Sequence, residues 1–366
     1  MSKLKYAIIG SGTMGQEHIK NINLIDNAEV VAICDSHEKS IDLSKKLLKN
    51  KVNIFDSHIE LIEAEIADAY IVATPNFTHI EILKDLLKTK AHLLVEKPFC
   101  TSVDDCLEIK KLAKDYPSVI WTAMEYRYMP PVARLINEVS KGTIGSLKML
   151  SIREHRFPFL VKVNDWNRFS KNTGGTMVEK CCHFFDLMRF ILRSDPVQVM
   201  ASAGQEVNHL DEIYNGRRAD IWDCGYVLVD FANGSRAMLE LSMFAEGSEF
   251  QEMIHAVGPS GKLEVRLPGP ARFWSGDADK RPVPMIIESP RGVCRPVQIK
   301  CPIDQMILDA GDHNGSTFHQ HQRFLDVVRG AGQVEVGFSD GIWAVRMGMA
   351  AQESAQTGQV VRLALQ

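Results

Sequence analysis

Over the first 120 residues, short apolar runs alternate with stretches that repeat apolar residues every three or four positions. The runs 6–9, 29–34, 69–73, 91–95 and 119–123 are rich in Val and Ile and read as buried strands. The stretches 13–24, 38–49, 78–89 and 102–115 read as amphipathic helices. In the last of these, Val103, Leu107, Ile109 and Leu112 are expected to face inward, with Thr101 or Ser102 as N-cap. This alternation predicts a parallel sheet with helices on both faces. From Tyr126 the pattern changes: a helix over 132–140, a strand over 147–153, an irregular polar stretch over 154–174, and one helix over 176–192. Strand-like runs follow at 198–203, 223–231, 235–243, 251–257 and 262–265, parted by the turn sequences Asn233-Gly234 and Pro259-Ser260-Gly261. The Pro-rich stretch 268–312 reads as loop, and helices at 317–329 and 339–357 close the chain, the second capped by Gly358. The expected class is α/β: a doubly wound domain over 1–124 and an α+β domain over 125–366 built on an antiparallel sheet.

Composition narrows this picture. A chain of 366 residues exceeds what one core usually organises. Its formal charge of −4 leaves no basic excess for a phosphate backbone, so nucleic acid is not expected as a partner. The apolar run at the N-terminus is too short for a signal-peptide core, and no apolar stretch is long enough to span a membrane. The eight cysteines show no zinc or CxxC spacing and read as reduced thiols of a cytoplasmic protein, with no metal expected.

Gly10-Ser11-Gly12-Thr13-Met14-Gly15 stands directly after the first strand and opens the first helix. That is the context in which GxGxxG binds a dinucleotide: a tight turn, close approach to a pyrophosphate, and helix packed on strand. Asp35 ends the second strand 20 residues later, where a carboxylate accepts ribose hydroxyls and repels a 2′-phosphate, so NAD is expected over NADP. Thr74-Pro75-Asn76 closes the third strand with His79 just beyond, and Glu96-Lys97-Pro98 closes the fourth; such strand ends face ligand in open parallel sheets. There Lys97 can oppose charge developing on a substrate oxygen. In Gly174-Gly175-Thr176 to Asp186, a regular helix sets Glu179 and His183 about 40° apart and one turn along, a pattern suited to a supported general base. Lys180 lies on the other side of the same imidazole.

This combination resembles the Gfo/Idh/MocA oxidoreductase family. The resemblance implies that Lys97 and His183 are catalytic, with Glu179 in place of the family's usual aspartate four residues before the histidine. Gly10, Gly12, Thr13, Met14, Gly15, Asp35, Thr74, Pro75, Asn76, His79, Glu96 and Lys97 are expected around the cofactor. Arg127, Arg153, His155, Trp166, Arg168, Lys180 and His313 are expected around substrate. The implied activity is NAD-dependent hydride transfer at a ring hydroxyl or ketone of a sugar or cyclitol. The alternatives are redox-assisted glycoside cleavage and a non-catalytic dinucleotide-binding regulator. An open-faced second sheet implies a homodimer or homotetramer.

Overall fold

The computed structural model describes residues 2–277 and 280–364. Six strands, β1 (Leu4–Ile9), β2 (Ala28–Cys34), β3 (Asn53–Phe55), β4 (Ala69–Val72), β5 (His92–Val95) and β6 (Ile120–Thr122), alternate with five helices. These are α1 (Thr13–Ile22), α2 (Glu38–Lys45), α3 (His58–Glu63), α4 (His79–Leu86) and α5 (Val103–Leu112). The strands form one parallel sheet in the order β3-β2-β1-β4-β5-β6. The order reverses between β1 and β4, which opens a crevice beyond their carboxyl ends. β4 is buried on both faces, as its unbroken apolar run requires.

Ser102 caps α5 by accepting from the Asp105 backbone N–H. The inward stripe of α5 is as expected at Val103 and Ile109, but Cys106 and Ala113 complete it, whereas Leu107 and Leu112 are exposed. Spacing of three and four from Cys106 defines that stripe, and the two leucines fall off it.

The second half contains α6 (Pro130–Ser140), β7 (Met149–His155), α7 (Ser170–Thr173), α8 (Thr176–Glu179), α9 (Cys182–Leu192) and β8 (Pro196–Gly204). A small hairpin, β9 (Ile213–Tyr214) with β10 (Arg217–Arg218), precedes β11 (Cys224–Phe231), β12 (Arg236–Ser242), β13 (Glu252–Gly258) and β14 (Gly261–Leu267). The stretch expected as loop carries β15 (Met285–Pro290), β16 (Val297–Lys300) and α10 (Gln305–Ala310); then come α11 (Ser316–Val328), α12 (Phe338–Thr357) and β17 (Val361–Arg362). Nine of these strands form one sheet, β16-β15-β14-β13-β7-β12-β11-β8-β17, antiparallel except where β12 pairs with β7. Its inner face buries Ile152, Val227, Leu239 and Ile254 against Phe184, Phe185 and Met188 of α9. Its outer face leaves Met200, Tyr226 and Leu228 about half exposed or more, at 53%, 58% and 49%.

Two elements cross back. Phe324 and Leu325 of α11 join the core of Tyr6, Ile8 and Ile19. In α12, Ile342 and Val345 pack with the first domain, while Met347, Ala350 and Ala351 pack with the second. The C-terminal helices therefore clamp the two sheets together.

Candidate active site

The glycine loop has the shape its spacing calls for. Gly10 takes φ +94°, and a Cβ there would lie 2.6 Å from the Ala73 carbonyl; a Cβ on Gly15 would lie 2.1 Å from Gly10 O. Gly12 instead looks into open space and caps α1 with no side chain over the helix end. The first helical bond runs from Gln16 N to Gly12 O, so the N–H groups of Thr13, Met14 and Gly15 remain for a ligand. This is an anion cradle of pyrophosphate type. Beside it, Asp35 accepts from Ser11 N at 2.7 Å and from His37 N at 2.8 Å, which fixes its carboxylate at the adenosine edge of the crevice. The residues present fit a bound NAD.

The 74–79 segment is more structural than its sequence implies. His79 is fully buried, with Nδ1 3.1 Å from Pro98 O and Nε2 3.1 Å from Thr74 O, so it ties the Thr74-Pro75 turn to the Lys97-Pro98 turn and does not face the crevice. Asn76 donates to Thr173 O at 3.3 Å and to the Glu179 carboxylate, bridging the domains. Glu96 is buried too, accepting from Lys97 N at 3.2 Å and contacting His18 Nε2 at 3.0 Å. It anchors the turn that presents Lys97.

Lys97 lies just beyond the carboxyl end of β5 and His183 at the start of α9, near enough for the lysine's charge to act on the imidazole. Lys97 Nζ donates to Glu179 O at 3.0 Å and lies 4.0 Å from Glu179 Oε1. Burial opposes its charge, but Glu179 and the carboxylates of Glu96 and Glu125 outweigh that and hold the ammonium firmly protonated. His183 is 1% exposed and stacks flat on Tyr126, centroids 4.0 Å apart and planes 4° from parallel. Burial, then the positive charges of Lys97, Lys180, His313 and Arg156, push its pKa well below the usual histidine range, so the ring is neutral.

Glu179 does not reach His183 as a continuous helix would have it. The predicted helix is broken at Lys180-Cys181: Cys181 N donates to Thr176 O, five residues back, and inserts an extra residue into the turn. The shared stripe is lost, and Glu179 turns to Lys97 and Asn76. The carboxylate beside His183 is instead Glu125, whose Oε1 lies 3.7 Å from Nε2. Glu125 is 1% exposed, and neither of its oxygens has a hydrogen-bond partner among the described residues. Burial, then the nearby Glu96, push it up to about 7. Position alone, just after β6 and next to Tyr126, was the signal that could have singled it out.

Most of the expected substrate residues are placed otherwise. Arg127 is buried in ion pairs with Asp186 and Asp340 and donates to Glu335 O at 2.8 Å, so its guanidinium is fully used in structure. Arg153 and His155 alternate onto the outer face of β7, where His155 pairs with Glu240 at 2.9 Å and Arg153 donates to Phe250 O. Arg168 is 2% exposed and bound to Glu212. Lys180 is buried behind Tyr126, 2.8 Å from Glu154 Oε1 and donating to Tyr126 Oη at 2.7 Å. Trp166 stays at the rim, edge-on to Phe77 at 6.4 Å. His313 does reach the site: its ring lies 6.1 Å from that of Tyr126, and its 2.7 Å contact with Glu17 outweighs burial and raises it to about 9.

A family model for oxidoreductases with an NAD-binding Rossmann fold matches residues 4–124, and its companion for the C-terminal alpha/beta domain matches residues 136–363. The chain belongs to the Gfo/Idh/MocA oxidoreductase family. Its N-terminal domain is an NAD-binding Rossmann domain. Over 262 residues it is 28% identical to myo-inositol 2-dehydrogenase of Thermotoga maritima, covering 71% of this chain and 74% of that protein. It is 23% identical to the rhizopine catabolism protein MocA of Rhizobium meliloti, over 76% of this chain and 82% of that one. In fold it is similar to an Agrobacterium radiobacter oxidoreductase solved with NAD+, L-tartaric acid and magnesium: TM-score 0.79, 18% identity, 99% of this chain and 98% of that chain.

Proposed function

We propose that the protein is an NAD-dependent dehydrogenase acting on a ring hydroxyl, or in reverse a ring ketone, of a sugar or cyclitol. The observation that carries this is a charged lysine near a neutral, buried histidine at the carboxyl edge of a dinucleotide-binding sheet. Relatives named for inositol oxidation support the substrate class. NAD, when bound, supplies the hydride acceptor. The chain's own residues handle proton and charge. His183, held neutral, takes the hydroxyl proton. Lys97, held cationic, stabilises the oxygen as negative charge develops on it. Glu125 faces the imidazolium that forms. Glu179 orients Lys97, and Asn76 fixes Glu179.

NADH formation from free NAD with a panel of pyranoses, inositols and aldonates tests this. His183→Ala should lower kcat by about 10²–10⁴-fold while leaving the NAD Kd nearly unchanged. A protein that binds NAD yet produces no NADH with any of them, or a His183→Ala variant with native kcat, would refute the reading. The half-exposed apolar face of the nine-stranded sheet supports a homodimer or homotetramer assembled through it. A strict monomer by light scattering at micromolar concentration would count against that assembly. Eight unpaired cysteines fit a reducing, cytoplasmic setting.

A further inference from the structure

The cations that line the site pair with carboxylates, with two exceptions. Lys97 has Glu179, Lys180 has Glu154, and His313 has Glu17. Arg156 and Lys162 have no carboxylate within ion-pair distance among the described residues. Arg156 follows directly on β7. It spends only its Nε on protein, donating to Phe157 O at 3.2 Å, and its guanidinium lies 4.3 Å over the Phe157 ring. Lys162 lies on the same polar stretch, six residues on.

Both are half-buried. The charge of Arg156 bears on His183, Lys180 and Glu252, and that of Lys162 on Glu179 and Lys97. Burial lowers the Lys162 ammonium below the ordinary lysine range, the mark of a cation drawn out of water without full compensation.

Leaving two cations unpaired this close to a third and a fourth costs free energy in the empty protein. A neutral polyol would leave that cost in place. The cofactor's pyrophosphate has its own cradle, the free N–H groups at the start of α1. A ligand that brings its own negative charge would relieve that cost, and a guanidinium fork matches carboxylate and phosphate oxygens in pairs.

We propose that the substrate is an anionic carbohydrate or cyclitol, its carboxylate or phosphate held by Arg156 and Lys162 while its carbinol faces Lys97 and His183. This rests on the dehydrogenase reading above and narrows it. It also fits the placement of Arg127, Arg153 and Arg168, each of which is engaged elsewhere: the arginine left over is Arg156.

The test compares matched probes with NAD: glucose, galactose and myo-inositol against glucuronate, galacturonate and the corresponding monophosphates. Turnover is read as NADH, and binding by calorimetry to the NAD-loaded His183→Ala variant. At least one anionic probe should exceed its neutral partner about tenfold to a hundredfold in kcat/KM and in affinity, and added salt should reduce the advantage. Uronate and phosphate arms separate the two anion sources. Arg156→Gln and Lys162→Met should each raise KM for the preferred anion by about ten- to a hundredfold, more than they lower kcat, with the NAD Kd unchanged. Equal use of neutral and anionic probes, or variants that weaken NAD and not the anion, would overturn the proposal. If no probe is oxidised but an anionic one binds and Arg156→Gln abolishes that binding, the dehydrogenase reading fails and anion recognition stands. If nothing is oxidised and no anion binds, both fail.

Discussion

Glu125→Gln probes the carboxylate that lies within ion-pair distance of His183, the proposed base. The substitution keeps the shape of the side chain and removes its charge. Glu125 Oε1 lies 3.7 Å from His183 Nε2, with both side chains almost fully buried. At that separation an effective dielectric near 20 gives roughly 4 kcal/mol between a carboxylate and an imidazolium, a ceiling on what Glu125 contributes when His183 has taken the proton. At about 1.4 kcal/mol per tenfold, kcat should fall by about 10²–10³. Glu125 forms no hydrogen bond among the described residues, so the amide orphans no partner and the fold should tolerate it. The pH profile separates charge from packing. Burial and Glu96 raise Glu125 to about 7, with Lys97 and His313 facing it as the opposing charges. Below that pH it is protonated and cannot face an imidazolium, so native kcat/KM should rise through about pH 7. In Glu125→Gln that limb should vanish. Steady-state NADH kinetics from about pH 5 to 9, run beside Glu179→Gln, decide the matter. A Glu125→Gln profile that keeps the native limb and kcat, with Glu179→Gln losing both, would return the role to Glu179.

Asp35→Ala removes a carboxylate that both braces the glycine loop and stands ready for ribose hydroxyls; NAD should bind about ten- to a hundredfold more weakly by calorimetry, and equal NAD and NADP affinities in the native protein would contradict the assignment. Glu252 is raised to about 7 by burial and the neighbouring Glu154, so the folded state holds its proton more tightly than the unfolded chain does. Its contribution is complete below the ordinary carboxyl range and lost as pH rises through about 7, by roughly 3 kcal/mol. Glu252→Gln should therefore raise Tm by a few degrees at pH 8 and scarcely change it at pH 5. Lys180→Met strands Glu154 without its cation, and unfolding should show a loss of about 3–5 kcal/mol; a loss of kcat with native stability would mean that Lys180 acts on chemistry instead.

The first sheet was legible because most of its strands are buried on both faces and its turns are marked by Gly and Pro; β3 and α3 escaped because each is short and exposes an apolar residue, Ile54 and Ile59, that blurs the pattern. The edge strand β16 and its neighbour β15 hide among prolines, which interrupt the alternation that would reveal them. Lys97 and His183 were legible as residues because strand ends and helix starts present side chains to a crevice. Their neighbours were not. A one-residue insertion at Lys180-Cys181 rotates the helix and hands His183 from Glu179 to Glu125, and no residue type announces such a turn. Arg127 and Arg168 read as ligands because arginines in loops usually are exposed, yet Arg127 is paired with buried Asp186 and Arg168 with the more exposed Glu212, both far away in sequence.

The buried charges of the site fall into two layers with the Tyr126 ring between them. On the reacting side stand Lys97, His183 and Glu125; behind the ring, Lys180 pairs with Glu154 beside Glu252. The rear layer is not inert. Lys180 is close enough for its charge to lower the basicity of His183, while Glu154 keeps that lysine compensated in a dry environment. On the near side, burial and Glu96 act in the opposite direction on Glu125. The two groups are thus pushed apart: the imidazole sheds its proton easily, and the carboxyl holds its own until about pH 7. Above that pH the resting pair is neutral histidine beside carboxylate, the combination in which a proton taken from a hydroxyl produces an ion pair rather than an isolated buried charge. Lys180 thus stands behind Tyr126, paired with Glu154, where its charge helps to keep the resting imidazole neutral.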